Sequence, residues 1–130
     1  MSLMDRLLSE ILVQLTDSPA CLSAEVIELT TLPNGNFVIK IRARLKKSCH
    51  FQVRLYYSNG HYDYSYQLYN QGTIARWDNK EDFPHLPTFP HHFHTENGAV
   101  IESLLSGDPL RDFPVVLREV ERIIALRDVN

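Results

Sequence analysis

Cysteine is scarce in these 130 residues: Cys21 and Cys49 are the only two, and they form no CxxC pair. That excludes a disulfide framework and a cysteine-built zinc module, and reduced thiols are the expected state. No apolar run approaches the ~20 residues of a membrane span. The opening Met1-Ser2-Leu3-Met4-Asp5-Arg6 lacks the basic start and small-residue cleavage site of a signal peptide, so the cytoplasm is the expected location and no membrane partner is expected. With five glycines in all there is no Gly-rich phosphate loop, and neither a G-x-S-x-G elbow nor a Cys-His nucleophile spacing occurs. Nucleotide-fuelled chemistry is therefore not expected, and no cofactor is implied. The net charge of −3 argues against a generally cationic, histone-like protein. There is no repeat, linker or low-complexity tract, so the chain reads as a single domain over residues 1–130. Its size suffices for a core without a structural metal.

Hydrophobic periodicity then gives the architecture. Leu3, Leu7, Leu8, Ile11, Leu12 and Leu15 recur at helical spacing until Ser18-Pro19. From Glu25 to about Asp78 the period is two, broken at Pro33-Asn34-Gly35, Lys47-Ser48-Cys49, Asn59-Gly60 and Gln71-Gly72, which predicts five antiparallel strands in a meander. Ala99–Leu105 is a candidate sixth strand. Asp112 is the expected N-cap of a terminal helix with Pro114 in its first turn and a stripe of Val116, Leu117, Val120, Ile123 and Ile124. The class is α+β: a five- to six-stranded antiparallel meander with an N-terminal and a C-terminal helix on its apolar face.

Register follows from parity, because alternate residues point to opposite faces of a sheet. An Asn59-Gly60 two-residue turn pairs Ser58 with His61. Phe51, Val53, Leu55 and Tyr57 then share an apolar face with Tyr62, Tyr64, Tyr66 and Leu68. Ile39, Ile41, Ala43 and Leu45 join them if the loop near Lys47 is odd, and Trp77 falls on the same side. The opposite face receives Lys40, Arg42, Arg44, Gln52, Arg54, Tyr56, Arg76 and Asp78, with Arg42 expected directly opposite Arg54.

Charge placement on that polar face is unusual. Between Asn36 and Tyr62 there are six Lys/Arg and no Asp/Glu, leaving seven Lys/Arg against sixteen Asp/Glu elsewhere. Like charges facing one another across strands are destabilising, and an anion between them offsets that cost. Lys40, Arg42, Arg44 and Arg54 thus form a candidate phosphodiester or polyanion site, with Tyr56 available to stack a base. The alternatives are a solvated strand face, and neutralisation by Glu25, Glu28 or Asp63.

The second unusual feature is Phe83-Pro84-His85-Leu86-Pro87 followed by Phe89-Pro90-His91-His92-Phe93-His94. Imidazole exchanges protons near neutral pH, so a pair among His91, His92 and His94 beside arginines suits RNA cleavage by transesterification without any divalent ion: one deprotonates a 2′-hydroxyl, another protonates the leaving oxygen, and Arg42, Arg54 or Arg76 stabilises the developing charge. Arg76 and Asp78 stand at alternate positions, where Asp78 can orient an arginine or a histidine. A metal reading uses His92 and His94 on one side of an extended segment, completed by His85 or Asp78. In a third reading the histidines cap turns and bond the loop to the sheet.

The run Arg76-Trp77-Asp78-Asn79, with His85, Pro90, His91, His92, His94 and a Val100-x-x-Ser103 step, resembles the TumE-type toxin family of prokaryotic toxin–antitoxin modules. That resemblance implies a small cytoplasmic protein, harmful when free and neutralised by a co-encoded antitoxin that often carries a helix-turn-helix domain. The expected function is a toxin acting as a metal-independent endoribonuclease. The alternatives are a non-enzymatic nucleic-acid- or protein-binding module and a histidine-metal hydrolase.

Overall fold

The computed structural model describes residues 1–128. The leucine stripe forms helix α1 (Leu3–Asp17), whose N-cap Ser2 accepts the Asp5 N–H on its hydroxyl at 3.1 Å. Leu7, Ile11 and Leu15, four residues apart, are its buried edge. The chain leaves the helix at Ser18, whose N–H donates to the Leu15 carbonyl.

Seven strands follow in order: β1 (Cys21–Thr31), β2 (Phe37–Leu45), β3 (His50–Ser58), β4 (His61–Tyr69), β5 (Thr73–Asp78), β6 (His92–His94) and β7 (Val100–Glu102). Each pairs antiparallel with the next, so the sheet is one unbroken meander with β1 and β7 at its edges. The sheet is thus larger than the five or six strands expected. β1 begins at Cys21 rather than Glu25, and β7 is the strand foreseen after Ala99. The addition is β6, which forms from the histidine segment because β5 offers it a ladder, a tertiary cause that hydrophobic alternation does not display.

The Asn59-Gly60 turn has positive φ at both residues, 50° and 85°, and sets Ser58 opposite His61 as expected. The β2–β3 connection corrects one expectation. Arg42 faces Gln52, and Arg54 faces Lys40. The loop is odd, but it consists of Lys46-Lys47-Ser48, because Leu45 N–H bonds the Cys49 carbonyl at 2.8 Å and Cys49 joins the buried face. Keeping that thiol in the core moves the register by two residues and forces Lys47 and Ser48 into left-handed backbone, φ 59° and 58°.

Helix α2 (Pro109–Leu126) closes the fold, with Phe113, Val116, Leu117, Val120 and Ile124 buried. Both helices pack on the apolar face in one core with Ile39, Ile41, Phe51, Val53, Leu55 and Tyr66. Its N-cap is Asp108, not Asp112, and Pro114 accordingly lies in the second turn. Asp112 is instead buried and turns back to accept the Ser106 N–H and hydroxyl and the Gly107 N–H at 2.8–3.1 Å. Its carboxylate therefore organises the whole approach to the helix. We predict that Asp112→Ala, which orphans several donors at once, lowers unfolding free energy by about 3 kcal/mol in urea titration, against about 1 kcal/mol for Asp108→Ala. Equal losses would contradict this role.

Candidate functional site

On the face opposite the helices, the ladder aligns side chains into rows. One row runs Lys40, Arg54, Ser65, Asp78, His92 across β2 to β6, and the next runs Arg42, Gln52, Gln67, Arg76, His94. The basic stripe and two of the histidines therefore belong to one surface. At its β1 end Glu28 faces Lys40 and Glu25 faces Arg42 in register, which sets two carboxylates beside the basic stripe. Arg42 also donates to the Gln52 side-chain oxygen at 3.3 Å.

The rows converge on Asp78. Its Oδ1 accepts from the Lys80 backbone N–H at 3.0 Å and meets His92 Nε2 at 2.8 Å. Its Oδ2 accepts from Arg76 Nε at 2.8 Å and meets His94 Nε2 at 3.3 Å. Each carboxylate oxygen thus has two partners, which is its full capacity. His92, with 2% of its side chain exposed, is held from behind, its Nδ1 3.1 Å from the Pro90 carbonyl. Both neighbours of the ring are acceptors, the Pro90 carbonyl at Nδ1 and the Asp78 carboxylate at Nε2, so each nitrogen faces a group to which it can only donate.

His94 is the open member, with 28% of its side chain exposed. Burial lowers its pKa from the ordinary histidine value, Asp78 opposes that, and the nearby His92 and Arg76 reinforce it. The Phe83 ring covers the pair, its centroid 4.7 Å from that of His92 and 6.0 Å from that of His94. Phe83 stands in the Phe83-Pro84-His85-Leu86-Pro87 run singled out by sequence, but no role was assigned to it there. The signal for it was an aromatic ring in the otherwise polar stretch between Asn79 and His85.

The remaining sequence candidates fall elsewhere. His85 is exposed and lies edge-on to Phe83, outside the Asp78 cluster. His91 has the opposite parity and points to the helix side, where its Nδ1 hydrogen-bonds the Tyr64 hydroxyl at 2.8 Å. Burial lowers the His91 pKa and raises that of Tyr64. Asn79 is also structural: its side chain accepts from Tyr64 N–H and donates to the Tyr62 carbonyl, closing the end of β4.

Two grooves meet at the cluster. One of about 400 Å³ is lined by Arg54, Tyr56, Ser65, Arg76 and Asp78, and one of about 600 Å³ by Arg76, Asp78, Phe83, His92 and His94. Both also contain Lys80. Arg54 stands three strands from His92, a backbone separation of roughly 14 Å, with Arg76 on the strand between β4 and β6. Arg42 is four strands from His94, roughly 19 Å, and Arg44 faces His50 in a further row. For a metal, the donor set among the described residues is Asp78, His92 and His94, whose ligand atoms all lie within 4.8 Å of one another.

Asp78→Ala is predicted to cost about 2–4 kcal/mol in urea titration, because it strands buried donors, whereas half-exposed Arg76→Ala costs under about 1 kcal/mol. A fully stable Asp78→Ala protein would contradict the carboxylate's central place. No helix among the described residues is long and apolar enough to cross a membrane. In comparisons with known proteins, a family model described as Toxin TumE matches residues 10–124, while no curated protein and no solved structure matches.

Proposed function

Since the chain belongs to the TumE toxin family, we propose that it is the toxin of a toxin–antitoxin module and that it cleaves RNA on the polar face of its sheet. The observation that carries this reading is the continuity of Lys40 and Arg54 with Asp78 and His92, and of Arg42 with Arg76 and His94, in adjacent cross-strand rows. A polyanion lying along these rows passes from a cationic track onto an imidazole.

In this reading Arg54 and Arg76 hold one phosphodiester, their planar donors matched to its oxygens. His94 keeps Nε2 toward Asp78 and takes the proton of a ribose 2′-hydroxyl on Nδ1. The 2′-oxygen bonds to phosphorus, the bond to the 5′-oxygen breaks, and solvent protonates that leaving oxygen. The products are a 2′,3′-cyclic phosphate and a free 5′-hydroxyl. The arginines stabilise charge on the phosphoryl oxygens as it develops, and the scheme requires no divalent ion. His92 is a positioning residue here, acting through Asp78. Tyr56, in the Arg54 groove, offers a stacking surface for a base. A co-encoded antitoxin, of the helix-turn-helix type, would silence the protein by covering this face.

His94→Ala is expected to remain folded and to lose roughly 10²- to 10⁴-fold of its activity on a mixed RNA ladder in EDTA, together with its toxicity. Arg54→Ala is expected to weaken RNA binding and to flatten its dependence on salt by about one phosphate contact. A folded His94→Ala protein that cleaves and kills like wild type overturns the mechanism. Absence of cleavage by wild type, with salt-dependent RNA binding intact, would favour a non-enzymatic binding module.

A further inference from the structure

We propose that Asp78, His92 and His94 also form a binding site for one borderline transition-metal dication, with zinc the best match, and that ion uptake shuts the site. The inhibitory part rests on the chemistry proposed for His94. Ion binding itself stands on geometry alone.

Two separations define the opening. His92 Nε2 and His94 Nε2 lie 2.8 and 3.3 Å from the two oxygens of Asp78. Donors bonded to a common ion at 2.0–2.1 Å stand roughly 2.9 Å apart at right angles and roughly 3.3 Å apart at the tetrahedral angle. Two of the donor separations thus already match edges of a coordination polyhedron, and all three donors lie within 4.8 Å of one another. It needs a small separation of its members to admit the ion, not a rearrangement of the strands.

The surroundings fit the same assignment. A ligating imidazole normally gives its second ring N–H to a carbonyl or carboxylate, which fixes the tautomer, and Pro90 O stands 3.1 Å from His92 Nδ1 in that role. Arg76 and the Lys80 N–H occupy the other lone pairs of Asp78 and hold the carboxylate in orientation. Arg76 is cationic and disfavours a second cation nearby, but its side chain is 39% exposed and can turn into the groove. His94, at the groove wall, leaves the fourth position open to water.

Two imidazoles and one carboxylate select zinc and its first-row neighbours over magnesium and calcium, which prefer oxygen. An ion on His94 Nε2 breaks the contact with Asp78 that orients the ring for proton transfer. It also places positive charge where the incoming imidazolium would form. Cleavage would consequently fall as the site fills.

Zinc titration of the EDTA-stripped full chain by isothermal calorimetry, with RNA cleavage measured alongside, tests this. Wild type should bind one zinc per chain, His94→Ala about 10-fold or more weakly, and His85→Ala as wild type does. The His94 variant removes a partly exposed ring, so it keeps the test valid if changes at buried His92 or Asp78 unfold the chain. Cobalt(II) should give a visible spectrum in wild type that His94→Ala loses. No saturable zinc uptake, or equal uptake by His94→Ala, overturns the site. Zinc-stimulated cleavage overturns the inhibitory role while supporting the ion site. Zinc uptake as expected by a protein inert on RNA supports the ion site and refutes the ribonuclease reading instead.

Discussion

A carboxylate taken out of water is tolerated only when hydrogen-bond donors replace its lost hydration, and Asp78, with 6% of its side chain exposed, is the point where that requirement is met. Four partners from three places supply it: Arg76 on the same strand, Lys80 just beyond, and His92 and His94 on the adjacent strand. This side-chain set ties β6 to β5 alongside a ladder of only three residue pairs. Without it, a strand of three residues containing two histidines has little reason to form. The charge requirement of one residue thus brings a polar segment into the sheet.

Much of the fold follows from local periodicity. The leucine spacing of α1, the Asn59-Gly60 turn and the parity of Ile39 through Leu68 are set by interactions between near neighbours, and the structure agrees with each. The errors share a different cause. The β2–β3 register depends on whether Cys49 packs in the core or sits in a turn, which tertiary burial decides. Asp112 has an N-cap's composition but serves donors five and six residues upstream. In the site, alternation puts His92 and His94 on one side of an extended segment, but only the pairing of β6 with β5 sets them beside Arg76 and Asp78. The same alternation sends His91 to the helix side. The cover by Phe83 and the exposure of His85 depend on how a proline-rich loop folds back, and no short-range pattern encodes that.

The polar face is best understood as a gradient. Glutamates on the β1 edge strand stand beside the lysine and arginine stripe, the middle strands line a groove with Arg54 and Arg76, and the far end holds the partly exposed His94 ring. Membership in a toxin family gives that arrangement a biological setting, in which an antitoxin is the partner implied. The helices bury the apolar face and so stabilise the sheet that carries the rows.

The most direct test is to titrate the full chain with a short RNA carrying a 2′-deoxy substitution at the reactive position, following histidine ring and arginine side-chain resonances by NMR. The account predicts that His94, Arg76 and Arg54 shift together along one binding curve while His91 and His50 stay still. Binding that moves His91 or leaves His94 unmoved would contradict it.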